Sequence, residues 1–250
     1  MNKKNFQQFL NSNKNIFFSK NKKTNIIIFD RQRIVPCILS SIFAASLSQK
    51  YSSDVSVVLD NLNTKYVKIY KSFGISNFFS NFYTNPIILV QCLIIFLYNL
   101  LKLKILGFNW FVKNFKLNDI LCGEIIYDLY IRFDKSYLNP KIDFKFVKIL
   151  IISIIKFKVI YKLLKTKKPK VIITNSGGYA TICGISSKIA EKLNITIITP
   201  YIDKKKIISF ISSKDKKCKV YPDGDIKRIS KKNLIKITQK FSIKKLRIFC

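Results

Sequence analysis

Short apolar runs, each separated from the next by a helical pattern, restrict the fold of this chain more than any other feature. Residues 25–29 and 54–59 flank one segment with helical spacing, and residues 171–174 and 195–199 flank another. Runs of this length and composition predict strands that are buried on both faces of a sheet. A strand–helix–strand unit joins two parallel strands by a right-handed crossover. We therefore predict an α/β fold with a Rossmann-like parallel sheet flanked by helices.

The pattern divides the chain of 250 residues into three parts. Residues 1–23 are polar and basic without periodicity, and we interpret them as a basic leader. Residues 24–200 form the predicted Rossmann-like α/β domain, which is long enough to bury a substantial core. The regularity fades after Pro200, and the lysine-rich residues 201–250 are read as a C-terminal extension or as the start of a truncated second domain.

The formal net charge of +33 raises the question of a nucleic-acid or anionic-membrane partner. The positive charge comes from 41 lysines and 5 arginines spread over the whole length, whereas nucleic-acid binders gather charge and use arginine for bidentate contacts. The joint excess of Lys, Asn, Ile and Phe indicates an AT-rich coding sequence instead. We therefore do not expect nucleic acid as the partner, and a non-enzymatic basic protein that binds nucleic acid or anionic membrane is kept as the alternative.

Histidine is absent, and the six cysteines are scattered without a C-x-x-C pair. We therefore expect no metal site and a reducing, cytoplasmic compartment. Without histidine, acid–base chemistry falls to a carboxylate, a tyrosine or a lysine. The turn after the first predicted strand, residues 30–36, contains no glycine, so a classical NAD-binding role is not expected.

Residues 86–101 form the most hydrophobic window of the chain. A membrane span needs about 20 mostly apolar residues. This run is shorter, contains Gln91 and Asn99, and is followed at once by Lys102 and Lys104. We predict a buried or membrane-surface helix in preference to a span, with the protein in the cytoplasm and in peripheral contact with the inner face of the membrane.

The segment of residues 123–133 is the first candidate site. Read as a helix, it buries Ile125, Ile126, Leu129 and Phe133 and places Glu124, Asp128 and Arg132 at successive steps of four residues. Spacing alone favours an ordinary ion-pair stripe on the surface. The functional alternative is a carboxylate aimed into a cleft, with Arg132 binding a phosphate or a sugar-acid carboxylate.

The second candidate site is Ser176-Gly177-Gly178-Tyr179, between a predicted strand and a predicted helix. Two glycines allow a tight turn that leaves free amides at a helix N-terminus, where a phosphate is favoured. The turn falls at the carboxyl end of its strand, the edge at which α/β sheets bind ligands. A plain connecting turn is the alternative, and Tyr179 either stacks on a sugar ring or caps the core.

Residues 118–132 (NDILCGEIIYDLYIR) resemble the G-[DE]-x-I-Y-D-x-Y-x-R pattern of surface (capsular) polysaccharide biosynthesis proteins. The downstream stretches 168–174 (KPKVIIT) and 184–195 (GISSKIAEKLNI) are similar to a strand and a helix of the same family. The likeness extends over roughly residues 24–200. It implies a metal-independent, glycosyltransferase-like protein of the two-Rossmann (GT-B) type that acts on cell-surface polysaccharide, with this chain as its N-terminal, acceptor-side half.

Residue roles follow from this resemblance. Asp128 or Glu124 would be the catalytic base, while substrate contact falls to Gly123, Tyr127 and Arg132 and to the turn formed by Ser176, Gly177, Gly178 and Tyr179. The acceptor would be a saccharide or a lipid-linked saccharide, and the donor a nucleotide sugar, with no tightly bound cofactor. Because the donor domain of that type is missing, we expect an acceptor-side half, a subunit whose partner supplies the donor domain, or an inactive gene remnant.

Overall fold

The computed structural model describes residues 24–30, 33–51, 53–62, 65–80, 85–133, 140–174, 181–202 and 208–212. Its strands are β1 (Thr24–Phe29), β2 (Ser53–Leu59), β3 (Asn77–Ser80), β4 (Lys116–Leu117), β5 (Ile120–Leu121), β6 (Val171–Thr174), β7 (Thr196–Ile202) and β8 (Ile208–Ser212). Its helices are α1 (Ile34–Tyr51), α2 (Lys65–Ser72), α3 (Pro86–Asn114), α4 (Gly123–Phe133), α5 (Phe144–Lys167) and α6 (Ile182–Lys192).

Six strands form one sheet in the order β3-β2-β1-β6-β7-β8. The first five are parallel, and β8 pairs with β7 in the antiparallel direction. The prediction of an α/β fold with a Rossmann-like parallel sheet and flanking helices is confirmed at this general level. Of the predicted C-terminal extension, the structure describes residues 201–202 and β8, and the predicted leader (1–23) lies outside the described residues.

Alternate residues of the central strands point to opposite faces of the sheet. On β1, Ile26 and Ile28 belong to one buried cluster, whereas Ile27 and Phe29 belong to the other. This is the period of two that a strand imposes on its side chains. Where both faces are covered, at residues 26–29 of β1 and 57–59 of β2, the sequence is an unbroken apolar run.

The helices are divided between the two faces. The buried residues of α1 and α2 join the cluster around Ile26 and Ile28. Those of α3, α4, α5 and α6 join the larger cluster around Ile27 and Phe29. Side chains cap the N-termini of α3 and α5. Asn85 Oδ1 accepts from the amide of Ile87 at 2.9 Å before α3, and Asp143 Oδ1 accepts from the amide of Phe146 at 2.7 Å before α5.

Helix α3 is longer than the predicted segment 86–101 because it continues to Asn114. Gly107, with φ of 76° and ψ of 175°, interrupts the helical backbone between two helical stretches. Only glycine adopts that conformation readily. The second stretch buries Phe111 completely, which extends the contact of α3 with the core.

Candidate functional site

The order of the strands reverses between β1 and β6. The chain moves from β1 to β2 and β3 on one side of the sheet, then returns to place β6 against the other side of β1. Phe29 and Thr174 are paired at the carboxyl ends of β1 and β6. In open α/β sheets ligands bind outside the carboxyl ends of the strands at such a reversal. We therefore expect a ligand site at the carboxyl edge of the sheet, near the ends of β1 and β6.

A buried carboxylate lies at the carboxyl end of β1. Asp30 is fully buried, and the Tyr70 hydroxyl on α2 donates to its Oδ2 at 2.6 Å. The Cys37 thiol on α1 adjoins both groups; burial raises the pKa of this thiol well above its ordinary value, and the Asp30 carboxylate raises it further. Burial also raises the pKa of Tyr70, which is therefore a hydrogen-bond donor at neutral pH.

Two further polar contacts connect β6 and α6 to this edge. The hydroxyl of Thr174, at the end of β6, lies 3.3 Å from that of Thr199, in the middle of the neighbouring strand β7. The Cys183 thiol, in the first turn of α6, donates to the carbonyl oxygen of Phe29 at 3.2 Å. Helix α6 thus begins directly over the end of β1, on the face that also carries α4 and α5.

The end of β2 carries an ion pair. Lys156 Nζ on α5 lies 2.9 Å from Asp60 Oδ1, and the lysine side chain is only 12% exposed. At the far end of α5, the carbonyl oxygen of Lys167 accepts from Asn25 Nδ2 at 3.1 Å, at the amino end of β1. Helix α5 therefore runs from the carboxyl edge of the sheet, at Asp60, to the amino edge, at Asn25, and its residues 144–155 precede the contact with Asp60.

Helix α4 packs against this first half of α5. The rings of Tyr130 and Phe146 lie 5.3 Å apart in an edge-to-face arrangement. The Tyr130 hydroxyl donates to the carbonyl oxygen of Lys141 at 3.1 Å, just before α5 begins. The second half of α4, which includes Asp128, therefore lies against the beginning of α5, and the two helices form a wall on this face of the sheet.

Gly123, the first residue of α4, is required by close packing. It is buried, and a Cβ built on it would lie 2.0 Å from the carbonyl oxygen of Phe111. No side chain fits there without moving the backbone of α3. This contact accounts for a glycine at position 123; its predicted contact with substrate stays a prediction.

The acidic residues of α4 have unequal surroundings. Glu124 Oε2 lies 3.9 Å from Lys188 Nζ on α6, and its side chain is 46% exposed. Asp128 is half-buried; burial raises the pKa of its carboxyl group above the ordinary value of 3.8, Glu124 raises it further, and Arg132 opposes both. Asp128 is thus a stronger base than an ordinary aspartate, which suits the predicted catalytic role.

The remaining predicted site residues are placed as follows. Tyr127 is half-buried with its ring 5.8 Å from that of Phe108, so part of its surface serves packing. Arg132 is exposed in the last turn of α4 and within electrostatic reach of Asp128. Ser176, Gly177, Gly178 and Tyr179 lie outside the described residues; the helix that follows them, α6, contacts α4 through the Glu124–Lys188 pair.

A polar pocket of about 400 Å³ lies at the opposite, amino-terminal edge of the sheet. Asn25, Asp54, Ser56 and Asn77 line it at the beginnings of β1, β2 and β3. Their polar side chains stand on the face that carries α5, where the helical layer no longer covers the sheet. Open α/β sheets bind ligands at the carboxyl ends of their strands, so this pocket at the amino edge is not the expected substrate site.

Sequence reasoning missed Asp30, Asp60 and Lys156 as members of the carboxyl edge. The two acids stand directly after apolar strands, at Phe29-Asp30 and Leu59-Asp60, which is the signal that could have found them. Among the described residues, no group of three or more Cys, Asp or Glu side chains is arranged to hold a metal ion. Comparisons with protein-family models, with curated proteins and with solved structures found no match to this chain.

Proposed function

We propose that this chain is a glycosyltransferase-like protein of surface polysaccharide synthesis that binds a phosphorylated saccharide at the carboxyl edge of its sheet. The observation that carries the proposal is the reversal of strand order between β1 and β6, with Asp30, Asp60 and Thr174 at the carboxyl ends of the neighbouring strands. Such a reversal is the usual ligand crevice of an α/β sheet. The GT-B likeness of the fold is part of this proposal.

The wall formed by α4 and α5 supplies the groups that the chemistry needs. A glycosyl acceptor hydroxyl needs a base, and the raised pKa of Asp128 supports that role. Arg132 is the cation for a phosphate or carboxylate of the substrate, since a guanidinium binds both in a bidentate manner. Glu124 is the alternative base; it lies 3.9 Å from Lys188 Nζ on α6, and it contributes to the raised pKa of Asp128.

The donor in this proposal is a nucleotide sugar. Asp60, at the end of the second strand, occupies the position from which an acid binds ribose hydroxyls in dinucleotide folds. Its ion pair with Lys156 orients the carboxylate. The acceptor is a saccharide or lipid-linked saccharide, held between α4 and the strand ends.

Ligand binding tests the proposal directly. Saturation-transfer NMR of the whole chain with a sugar 1-phosphate and with a nucleotide sugar should give transfer to sugar protons. Arg132→Ala should weaken binding about 10- to 100-fold, the value of a charged hydrogen bond, and Asn77→Ala at the amino-edge pocket should leave it unchanged. Weaker binding by the Asn77→Ala variant, or unchanged binding by the Arg132→Ala variant, would place the site elsewhere.

Catalysis is tested separately from binding. In cells, Asp128→Asn should lower glycosyl transfer about 10²- to 10⁴-fold, the usual contribution of a general base. Binding of the sugar phosphate should persist in this variant because the side chain keeps its size. If Asp128→Asn and Arg132→Ala both leave polymer production untouched, the assigned roles are wrong.

A further inference from the structure

The outer face of α3 is apolar where a helix on a soluble domain is normally polar. Along the first stretch of the helix the exposed stripe recurs every three or four residues: Ile87, Val90, Ile94, Leu97, Leu101 and Ile105. Each of these side chains is at least 50% exposed, and Ile105 reaches 80%. The usual arrangement puts the apolar stripe toward the core and the polar residues toward water. Here both sides of the helix are apolar.

The inner face of the same helix is already occupied. Cys92, Phe96, Leu103 and Phe111 are buried in the larger core cluster, against α5. Among the described residues α3 is the one helix long and apolar enough to cross a membrane. Crossing would pull those four side chains out of the core and expose their partners on α5. Packing therefore holds α3 on the domain, with its outer stripe facing outward.

The polar groups of α3 are placed to leave the stripe clear. Asn99 donates its side-chain amide to the carbonyl oxygen of Ile95 at 2.8 Å, within the helix. Lys102 Nζ lies 4.5 Å from the centre of the Tyr98 ring and 5.7 Å from that of Trp110. Lysine, tyrosine and tryptophan together are typical of the boundary between headgroups and acyl chains. Lys104, Lys113 and Lys116 are also exposed, and they add positive charge in the C-terminal part of α3 and just beyond its end.

Charge decides what covers this face. The sequence contains no Asp or Glu between Asp60 and Asp119, so the helix and its flanks are purely basic. A second copy of the chain would bring its own net charge of +33 to the contact, and like charge opposes that association. Anionic lipid headgroups attract juxtamembrane lysines, by about 1 kcal/mol per lysine at the surface.

We propose that α3 lies in the plane of an anionic phospholipid bilayer, with Ile87, Val90, Ile94, Leu97, Leu101 and Ile105 inserted among the acyl chains and its lysines at the headgroups. The domain is thereby a peripheral protein that α3 holds on the lipid surface. This inference does not depend on the saccharide proposal, because it rests on α3 alone.

Vesicle co-sedimentation of the whole protein tests it. Vesicles of phosphatidylcholine with phosphatidylglycerol should bind the protein, and vesicles of phosphatidylcholine alone should bind it more weakly. The double variant Leu101→Ser/Ile105→Ser keeps every charge but removes two inserted side chains, and should lower partitioning to the mixed vesicles about 10- to 100-fold. The matched variant Val35→Ser/Leu62→Ser removes exposed apolar side chains elsewhere and should bind as the unchanged protein does.

The single tryptophan gives a second readout, because Trp110 lies on α3. Bromine-labelled acyl chains in the mixed vesicles should quench its fluorescence, and the Leu101→Ser/Ile105→Ser variant should lose most of that quenching. Adsorption through scattered lysines alone would give salt-sensitive sedimentation without quenching and without an effect of the variant, which would overturn the proposal. Sedimentation velocity tests for dimers. Concentration-dependent dimers that the Leu101→Ser/Ile105→Ser variant abolishes would show that a second copy of the chain covers this face, and would also overturn the membrane proposal.

Discussion

The Tyr70 hydroxyl donates a 2.6 Å hydrogen bond to Oδ2 of Asp30, a fully buried carboxylate at the carboxyl end of β1. This contact joins α2 to the central strand of the sheet and helps to fix the position of an acid at the strand-order reversal. Burial of a carboxylate is costly unless donors satisfy its oxygens. The stability of this edge therefore depends on the tyrosine.

Tyr70→Phe should lower the free energy of unfolding by about 1–3 kcal/mol, because a buried carboxylate loses a donor. Urea unfolding followed by circular dichroism measures the change. Tyr98→Phe is the control, since that tyrosine is exposed on α3 and should change stability by less than about 0.5 kcal/mol. Equal stability of the two variants would mean that the Tyr70–Asp30 bond contributes nothing.

Gly123→Ala should lower the free energy of unfolding by about 1–3 kcal/mol, since the added Cβ meets the carbonyl oxygen of Phe111 and must displace the backbone of α3. Urea unfolding again measures it. Glu124→Ala, one residue along the same helix, removes only an exposed ion pair and should cost less than about 1 kcal/mol. A tolerated alanine at position 123 would refute the close approach of α3 and α4.

Asp128→Asn should stabilise the protein at neutral pH while it lowers activity. The pKa of Asp128 is raised on folding, so the folded state binds its proton more tightly than the unfolded state. Stability from this group is therefore fully present below the unfolded pKa and is lost as pH rises through the folded one. The Asp128→Asn variant should therefore have a higher free energy of unfolding than the unchanged protein above about pH 4. At lower pH the variant should show no such increase. A gain that does not vary with pH would exclude this cause.

Ser153→Ala should raise the free energy of unfolding by about 1 kcal/mol, because the Ser153 hydroxyl is buried in α5 and has no hydrogen-bond partner among the residues that the structure describes. Ser186→Ala is the matched change on α6, where the hydroxyl donates to the carbonyl oxygen of Cys183 at 2.9 Å. That variant should be destabilised by about 1 kcal/mol. Thermal unfolding of the two variants measures both changes in stability. If both variants were stabilised, or both destabilised, the difference in hydrogen bonding between the two serines would be contradicted.

Strands whose burial is decided by their own sequence could be predicted. The strands β1, β2 and β6 were predicted correctly, since each contains a run of apolar residues that is buried in the sheet. Strand β8 was missed because it is a short run of five residues in a lysine-rich part of the sequence. Helix α2 and strand β3 were missed because the spacing of their residues does not reveal the contacts that bury them; Tyr70 on α2, for example, packs in the cluster around Ile26 and Ile28 and donates to Asp30.

The candidate site was predicted less completely than the fold. Spacing placed Glu124, Asp128 and Arg132 on one helix, and α4 is that helix. Spacing could not reveal that α4 packs against α5 and α6, because those contacts join residues that are far apart in the sequence, such as Tyr130 with Phe146 and Glu124 with Lys188. It also could not reveal that Gly123 is required by a backbone contact.

Hydrogen–deuterium exchange of the whole chain, with and without a saturating sugar phosphate, tests the central claim most directly. We predict slower exchange in the segments that follow β1 and β6 and in α4, with no change at residues 76–77 and 54–56 of the amino-edge pocket. Protection confined to the amino-edge pocket, or no protection anywhere at saturating ligand, would contradict a saccharide site at the carboxyl edge of the sheet.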